Sequence, residues 1–202
     1  MTSEDTYQSL ATTSEGFYRE KDSKFYAHAF PVASEEEIKE RLDELRRQYP
    51  DARHHCYAFV LKPLEGQSAR FRANDDGEPS HSAGDPILGQ IRSLALHDAL
   101  VVVVRYFGGT KLGVSGLVNA YKTAAAEALA HNQAITKVHR QEIIIRFDYA
   151  ATNEVQQFLH QYEAEIADQR FAQDCYYRLR VPRSQYEAAR QQLTSIAGVA
   201  LE

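Results

Sequence analysis

Three carboxylates and a histidine fall within the seven positions from Asp75 to His81. Clustered oxygen ligands in a flexible turn suit Mg²⁺ or Ca²⁺. Asp75, Asp76 and Glu78 are therefore candidate metal ligands, with Mg²⁺ as the expected ion. The alternative is a solvated turn, because Asp-Gly and Glu-Pro pairs are common turn formers, and the EF-hand spacing is absent. Both interpretations stay open.

A glycine-rich turn, RYFGGTKLG, follows a continuous apolar run further along the chain. Backbone N–H groups of such a turn can converge on an anion at the positive end of a following helix. The predicted anion-binding residues are Arg105, Gly108, Gly109, Lys111 and Gly113. Neither the Walker pattern nor the dinucleotide-binding pattern is matched. The alternative is that the glycines only supply the positive φ angles of a tight strand-to-helix turn.

The sequence His54-His55-Cys56 begins an apolar strand pattern. A cysteine beside a histidine could form a nucleophilic pair, but a buried cysteine and a hydrogen-bonded histidine in a strand are more common. No second Cys/His pair lies at ligand spacing, so a zinc site is not predicted.

A strand pattern near the end of the chain places Tyr176, Arg178 and Arg180 on one face. An aromatic ring and two arginines on an open sheet face can bind single-stranded RNA. The RNP1 pattern is missing, so a solvated sheet face is the alternative.

Composition limits the protein class. The chain has 202 residues, 44% of them apolar, and a net charge of -5. This balance argues against a generally basic surface that coats nucleic acid. No stretch approaches the ~18 apolar residues of a membrane span, and MTSEDTYQSL lacks the regions of a secretion signal. With only two distant cysteines, we expect a cytoplasmic protein without a disulfide framework.

Elements that position these residues can be placed by their patterns. Residues 1–14 are polar and expected to be frayed, and a hairpin turn is expected at 21–23. Ser34 with Glu37 predicts a capped helix, and Asp85 with Pro86 predicts the start of another. The run 99–104 is typical of a central strand covered on both faces. A helix is expected over 115–131, with an apolar stripe of Val118, Tyr121, Ala125 and Leu129. The acidic loop precedes the helix that Asp85 begins, and the glycine turn follows the strand after that helix, so the two should meet at one cleft.

The last 65 residues follow the order βαββαβ, the ferredoxin-like plan. Thr152 and Ser184 are the expected caps of its two helices. We predict two α+β domains, 1–136 and 137–202, and neither is basic.

Two motifs in order, DDGEPSHSAGDPIL and ALVVVVRYFGGTKLGVSGLVNAY, resemble the IMPACT family in its two-domain bacterial form, the YigZ type. The resemblance implies an N-terminal domain similar to the second domain of ribosomal protein S5. It also implies a C-terminal domain similar to a C-terminal domain of elongation factor G. Eukaryotic members look like translation regulators that act through a kinase pathway.

Two function classes with a bound ligand follow, beside a third, a protein-interaction module that binds no ligand. The first is a translation-associated binding protein that contacts RNA, the ribosome, a translation factor or a phosphate-bearing ligand. The second is a metal-assisted enzyme acting on a phosphate or acyl substrate, with His81 or His55 as base. Under both, the acidic loop should make anion binding stronger when Mg²⁺ is present.

Overall fold

The computed structural model describes residues 5–63 and 68–202. These residues form eleven strands and five α-helices. No helix in the described part of the chain is long and apolar enough to cross a membrane. The strands are β1 (Thr6–Leu10), β2 (Ser14–Glu20), β3 (Ser23–Pro31), β4 (His54–Leu61), β5 (Arg70–Asn74), β6 (Ala99–Tyr106), β7 (Ala134–Val138), β8 (Arg140–Phe147), β9 (Glu165–Phe171), β10 (Cys175–Pro182) and β11 (Val199–Leu201). The helices are α1 (Glu35–Gln48), α2 (Gly84–Ser93), α3 (Gly113–Ala130), α4 (Thr152–Gln161) and α5 (Tyr186–Ser195).

The chain divides into two compact units. Gln8–Thr136 forms the larger unit, and Lys137–Glu202 together with the described residues before Gln8 forms the smaller one. The division after residue 136 matches the predicted boundary, whereas the segment before Gln8 belongs to the other unit. That the two units fold independently stays a prediction.

The N-terminal segment is ordered where the structure describes it. β1 pairs with β7 in a two-stranded sheet, and Leu10 is buried. Within the smaller unit, the Asp5 carboxylate accepts hydrogen bonds from the backbone N–H of Ser184 at 2.7 Å and from its hydroxyl at 2.5 Å. The expectation of a frayed segment is therefore wrong from residue 5 to residue 10, and residues 1–4 lie outside the described chain.

The larger unit is built on a five-stranded sheet with the order β2-β3-β6-β4-β5, antiparallel throughout. β6 lies at its centre, and its alternate side chains enter two separate cores. Val101 and Val103 pack with α2 and α3, whereas Leu100 and Val102 pack with α1. The prediction of a central strand covered on both faces is confirmed.

Two local predictions in this unit hold. Lys21 and Asp22 take positive φ angles of 44° and 65° in the turn between β2 and β3. Ser34 caps α1, because its Oγ accepts a hydrogen bond from the backbone N–H of Glu37 at 3.3 Å. The short polar side chains of Asp22 and Ser34 favour the turn and the cap, respectively.

The predicted start and inner face of α2 need correction. The helix begins at Gly84, so Asp85 lies in its first turn and is not the cap. Helical spacing predicts a buried stripe of Ile87, Leu88, Ile91 and Leu94, but Leu94 is 52% exposed, because α2 ends at Ser93 and Leu94 lies beyond its last turn.

The smaller unit forms one four-stranded antiparallel sheet with the order β11-β8-β10-β9. α4 and α5 bury their apolar sides against one face of it. This is the ferredoxin-like arrangement, as predicted, and the α+β class is confirmed. The similarity to domains of ribosomal protein S5 and elongation factor G stays a prediction.

Neither expected cap in the smaller unit acts as one. Thr152 begins α4, and its hydroxyl donates to the carbonyl of Tyr149 at 2.7 Å. The Ser184 hydroxyl bonds to Asp5, as described above, and α5 begins after Gln185. Long-range and local acceptors compete for these hydroxyl groups, and the sequence pattern of a capping box does not include that competition.

Candidate functional site

Asp75 closes the acidic loop on itself and caps α2. Its Oδ1 accepts hydrogen bonds from the backbone N–H groups of Ala83 at 3.0 Å and Gly84 at 2.8 Å. Its Oδ2 accepts a third from the N–H of His81 at 2.8 Å. Burial alone would raise the pKa of Asp75, but these three donors more than offset that effect and hold it below its usual value. Asp75 thus provides the cap that was predicted at Asp85.

Asp76 fastens the loop to the start of β4. Its Oδ2 accepts a hydrogen bond from the backbone N–H of His55 at 2.7 Å, and its carbonyl oxygen lies 2.9 Å from His54 Nδ1. Asp76 takes a positive φ of 41°, which a short polar side chain tolerates better than most. Its carboxylate therefore has a structural partner.

Glu78 lies at the centre of a buried polar network. Its side chain is 5% exposed, and its Oε1 accepts hydrogen bonds from Arg105 Nη1 at 2.6 Å and Tyr121 Oη at 2.8 Å. Arg105 Nη2 reaches Ser23 Oγ at 3.4 Å, and that Oγ also accepts a bond from the N–H of Gly108 at 3.1 Å. The network therefore joins the acidic loop, α3, β6 and β3.

The three predicted metal ligands each have a different partner. Asp75 holds the start of α2, Asp76 holds β4, and Glu78 holds Arg105. Among the described residues, no group of three or more His, Cys, Asp or Glu side chains is arranged to hold a metal ion. The Mg²⁺ site stays a prediction, and these hydrogen bonds account for the loop conformation by themselves.

The two proposed bases and the cysteine lie in different environments. His81 Nδ1 lies 2.6 Å from Asp85 Oδ2 at the surface. Burial lowers the pKa of His55, whose Nε2 is enclosed without a hydrogen-bond partner. Burial also raises the pKa of the Cys56 thiol, which lies 2.9 Å from the carbonyl oxygen of Asp75 and 3.3 Å from Tyr121 Oη. A protonated thiol is a poor nucleophile.

The glycine turn packs directly on the β2–β3 hairpin. A Cβ atom on Gly108 would lie 2.0 Å from the carbonyl carbon of Asp22, so only glycine fits there. Gly109 and Gly113 have positive φ angles of 88° and 71°, and a Cβ atom on either would meet open space. The structural interpretation holds for Gly109 and Gly113, whereas Gly108 is required by close packing and not by a positive φ angle. This interpretation does not exclude anion binding, although the N–H of Gly108 is already bonded to Ser23.

The acidic loop and the glycine turn meet at one cavity of about 330 Å³. This confirms the expectation of a shared cleft. Three of the five predicted anion-binding residues line it, and two do not, since Gly108 and Gly109 lie outside its wall. The lining residues are Glu78, Pro79, Arg105, Phe107, Lys111, Leu112, Gly113, Val114 and Leu117.

Two sources of donors in or beside this cavity are open to a ligand. α3 begins there without a side-chain cap and without an acidic residue in its first turn, and Lys111 is exposed. Arg105 also lines the cavity but is 6% exposed, and its Nε is buried without a hydrogen-bond partner.

Sequence reasoning missed Tyr121 and Ser23. Tyr121 was assigned only to the apolar stripe of α3, but it is fully buried and its hydroxyl bonds to Glu78. A signal was present, because a tyrosine among small residues in a buried stripe requires a polar partner for its hydroxyl.

The predicted RNA face belongs to the smaller unit. Tyr176, Arg178 and Arg180 alternate on β10 with the buried residues of that strand, so they share the outer face, as predicted. Each arginine has a carboxylate partner: Arg178 lies 3.4 Å from Asp168, and Arg180 lies 3.0 Å from Glu142. Such paired cations have less free charge for phosphate, and RNA binding by this face stays a prediction.

Comparison with known proteins finds a matching domain family for each unit. Residues 21–129 match the Impact N-terminal domain, and residues 145–198 match a domain of unknown function, DUF1949. An IMPACT family member of Haemophilus influenzae is 34% identical over 86% of this chain and 84% of its own length. The IMPACT family member YigZ of Escherichia coli is 32% identical over 80% of this chain and 79% of its own.

A solved structure shares this fold over nearly the whole chain. The crystal structure of a hypothetical protein aligns with a TM-score of 0.72 at 28% identity, and covers 98% of this chain and 96% of that one. The family match extends over the acidic loop and the glycine turn described above. The chain belongs to the IMPACT family.

Proposed function

We propose that this protein is a translation-associated binding protein whose larger unit holds a phosphate group in the cavity between the acidic loop and the glycine turn. The role in translation comes from the family resemblance. The cavity itself supports the phosphate, through exposed Lys111 and the uncapped start of α3, which both line it.

The chemistry of the cavity suits an anion of limited size. The N–H groups of the first turn of α3 lack intrahelical partners, and the helix dipole adds about half a positive charge at that end. Lys111 supplies a full charge from the rim. Glu78 does not cancel it, because its carboxylate is already paired with Arg105.

The test is a titration of the full chain with pyrophosphate by calorimetry, with and without Mg²⁺. We expect Lys111→Ala to weaken binding by about 1–3 kcal/mol, the usual range for a charge-assisted hydrogen bond. Lys122→Ala is the matched control, because Lys122 is exposed on the same helix but does not line the cavity. Arg105 is left intact, because its removal would leave the buried Glu78 carboxylate without a paired positive charge.

Four outcomes separate the interpretations. Weakening by Lys111→Ala but not by Lys122→Ala supports the site. Equal binding by all three proteins would place the anion elsewhere, and no binding would end the proposal. Hydrolysis of pyrophosphate in the presence of Mg²⁺ would favour the metal-assisted alternative.

The association with translation has its own test. Tagged chain should co-sediment with purified ribosomes or polysomes, and ribonuclease treatment should release it if RNA is the contact. A chain that stays at the top of the gradient in both samples would refute the association and leave the anion site untouched.

A further inference from the structure

A second cleft, of about 460 Å³, opens beside the glycine turn on the other side of Phe107. Three tyrosines line it, one each from β3, the end of α1 and the end of β6. The lining residues are Asp22, Lys24, Tyr26, Tyr49, Tyr106 and Phe107. The volume lies in the range of small-molecule sites.

The tyrosine rings of this cleft form an ordered group. Tyr26 and Tyr49 stack with their centroids 5.8 Å apart and an interplanar angle of 22°. Tyr106 meets Tyr26 edge-on at 6.1 Å and 90°. All three are only partly buried, so ring surface stays accessible. Flat, accessible aromatic faces are the surfaces on which unpaired nucleic acid bases stack.

Phe107 links the tyrosine cleft to the anion cavity. It is 55% exposed and lines both spaces. A chain of alternating phosphates and bases needs neighbouring sites of these two kinds. Neither cavity alone would indicate a polymeric ligand, but two adjoining cavities that share Phe107 do.

The surface charge around Phe107 is complementary to a phosphate backbone. Lys21 and Lys111 are exposed on the two turns that pack together here, and Lys24 is exposed at the start of β3. The nearby carboxylate of Asp22 is paired with Arg19. An uncharged ligand such as a proline-rich peptide could also lie on tyrosines, but it would not use these lysines.

We propose that single-stranded RNA binds across Phe107, with a phosphate at the start of α3 and an adjacent base in the tyrosine cleft. This inference rests on the proposed phosphate site and adds the ligand class and the base subsite. The smaller unit is not required for it.

The test compares two labelled ligands by fluorescence anisotropy with the full chain at low salt. One is a hexauridylate, and the other is an abasic oligomer with the same number of phosphates. Stacking of one base should make hexauridylate bind at least about fivefold tighter. Because both ligands are tested on the unmodified protein, this comparison does not depend on any variant folding.

Two variants locate the base. Tyr106→Leu should lower hexauridylate affinity at least about fivefold while leaving the abasic oligomer and pyrophosphate unchanged. Phe71→Leu is the control, because Phe71 is an exposed aromatic on β5, at the edge of the same sheet. Its removal should change neither ligand.

The outcomes distinguish this inference from the proposed function. If pyrophosphate binds but the two oligomers bind with equal affinity, the base subsite is refuted and the anion site remains. The same conclusion follows if Tyr106→Leu does not change the affinity for hexauridylate. Capture of a proline hexapeptide but not hexauridylate would overturn it in favour of a peptide groove. If neither pyrophosphate nor RNA binds, both proposals fall.

Discussion

The ion pair between Glu78 and Arg105 is the contact on which the geometry of both motifs depends most. The two side chains are 5% and 7% exposed, with 2.6 Å between Oε1 and Nη1. Truncation of one partner in a buried pair strands the other charge and costs about 3–5 kcal/mol. An exposed pair such as Arg41–Glu44, at 2.9 Å, contributes at most about 1 kcal/mol. Burial rather than distance should therefore determine the cost.

We expect Arg105→Met and Glu78→Leu each to lower the free energy of unfolding of the larger unit by about 3–5 kcal/mol. The double variant carries neither charge. The free energy of unfolding of the double variant should be lower than that of wild type by only about 1–2 kcal/mol, mostly because the Tyr121 hydroxyl is left without its acceptor. Tyr121→Phe alone should cost about 1 kcal/mol, since Glu78 keeps Arg105.

The assay is urea unfolding monitored by the reactivity of the Cys56 thiol in a Cys175→Ala background. Cys56 lies in the core of the larger unit and Cys175 in that of the smaller one, so the signal reports on the larger unit alone. Arg41→Met is the control for loss of a surface pair. A cost below about 1 kcal/mol for Arg105→Met would refute the reasoning. Strictly additive losses in the double variant would refute it as well.

Three further predictions concern the same region. Asp75→Ala should lower the free energy of unfolding in urea by about 2–4 kcal/mol, because three backbone donors lose their acceptor. Since the folded-state pKa of Asp75 is lowered, its contribution to the free energy of unfolding is present above about pH 4 and lost on further acidification. A difference in unfolding free energy between wild type and variant that stays the same at low pH would contradict this. The native Cys56 thiol should resist a disulfide reagent at pH 8 and react once urea unfolds the protein, because burial raises its pKa; rapid native reaction would contradict the burial. Gly108→Ala should lower the melting temperature far more than Gly109→Ala, whose cost is only the left-handed φ, about 1–2 kcal/mol; equal losses would mean that the two turns do not touch.

Patterns within one element were sufficient to predict that element. The unbroken β-branched run ending at Val104 identified the central strand, because only a strand buried on both faces needs apolar residues at every position. The hairpin turn at Lys21 and the cap at Ser34 follow from side chains that act within three residues. The ferredoxin-like order of the smaller unit follows from counting such elements.

Contacts between distant residues were not accessible in the same way. Asp75 caps a helix that begins nine positions later, and Asp5 reaches Ser184 across most of the chain. Nothing in the local pattern distinguishes a carboxylate that accepts hydrogen bonds from backbone N–H groups from one that binds a metal ion. The residue types of Asp75, Asp76 and Glu78 predicted metal ligands. In the folded structure, each of these carboxylates accepts hydrogen bonds from other groups of the protein.

The pairing of Glu78 with Arg105 also bears on what ligand the cavity can hold. An incoming phosphate meets an arginine whose charge is already balanced, so the net attraction comes from Lys111 and from the start of α3. Such a site should hold a lone phosphate weakly, because few of its donors carry uncompensated charge. Useful affinity then requires contacts outside the cavity, and the tyrosine cleft across Phe107 is placed to provide them. A ligand that repeats phosphate and base uses both surfaces at once, which is the physical reason to expect a strand of RNA rather than a free anion.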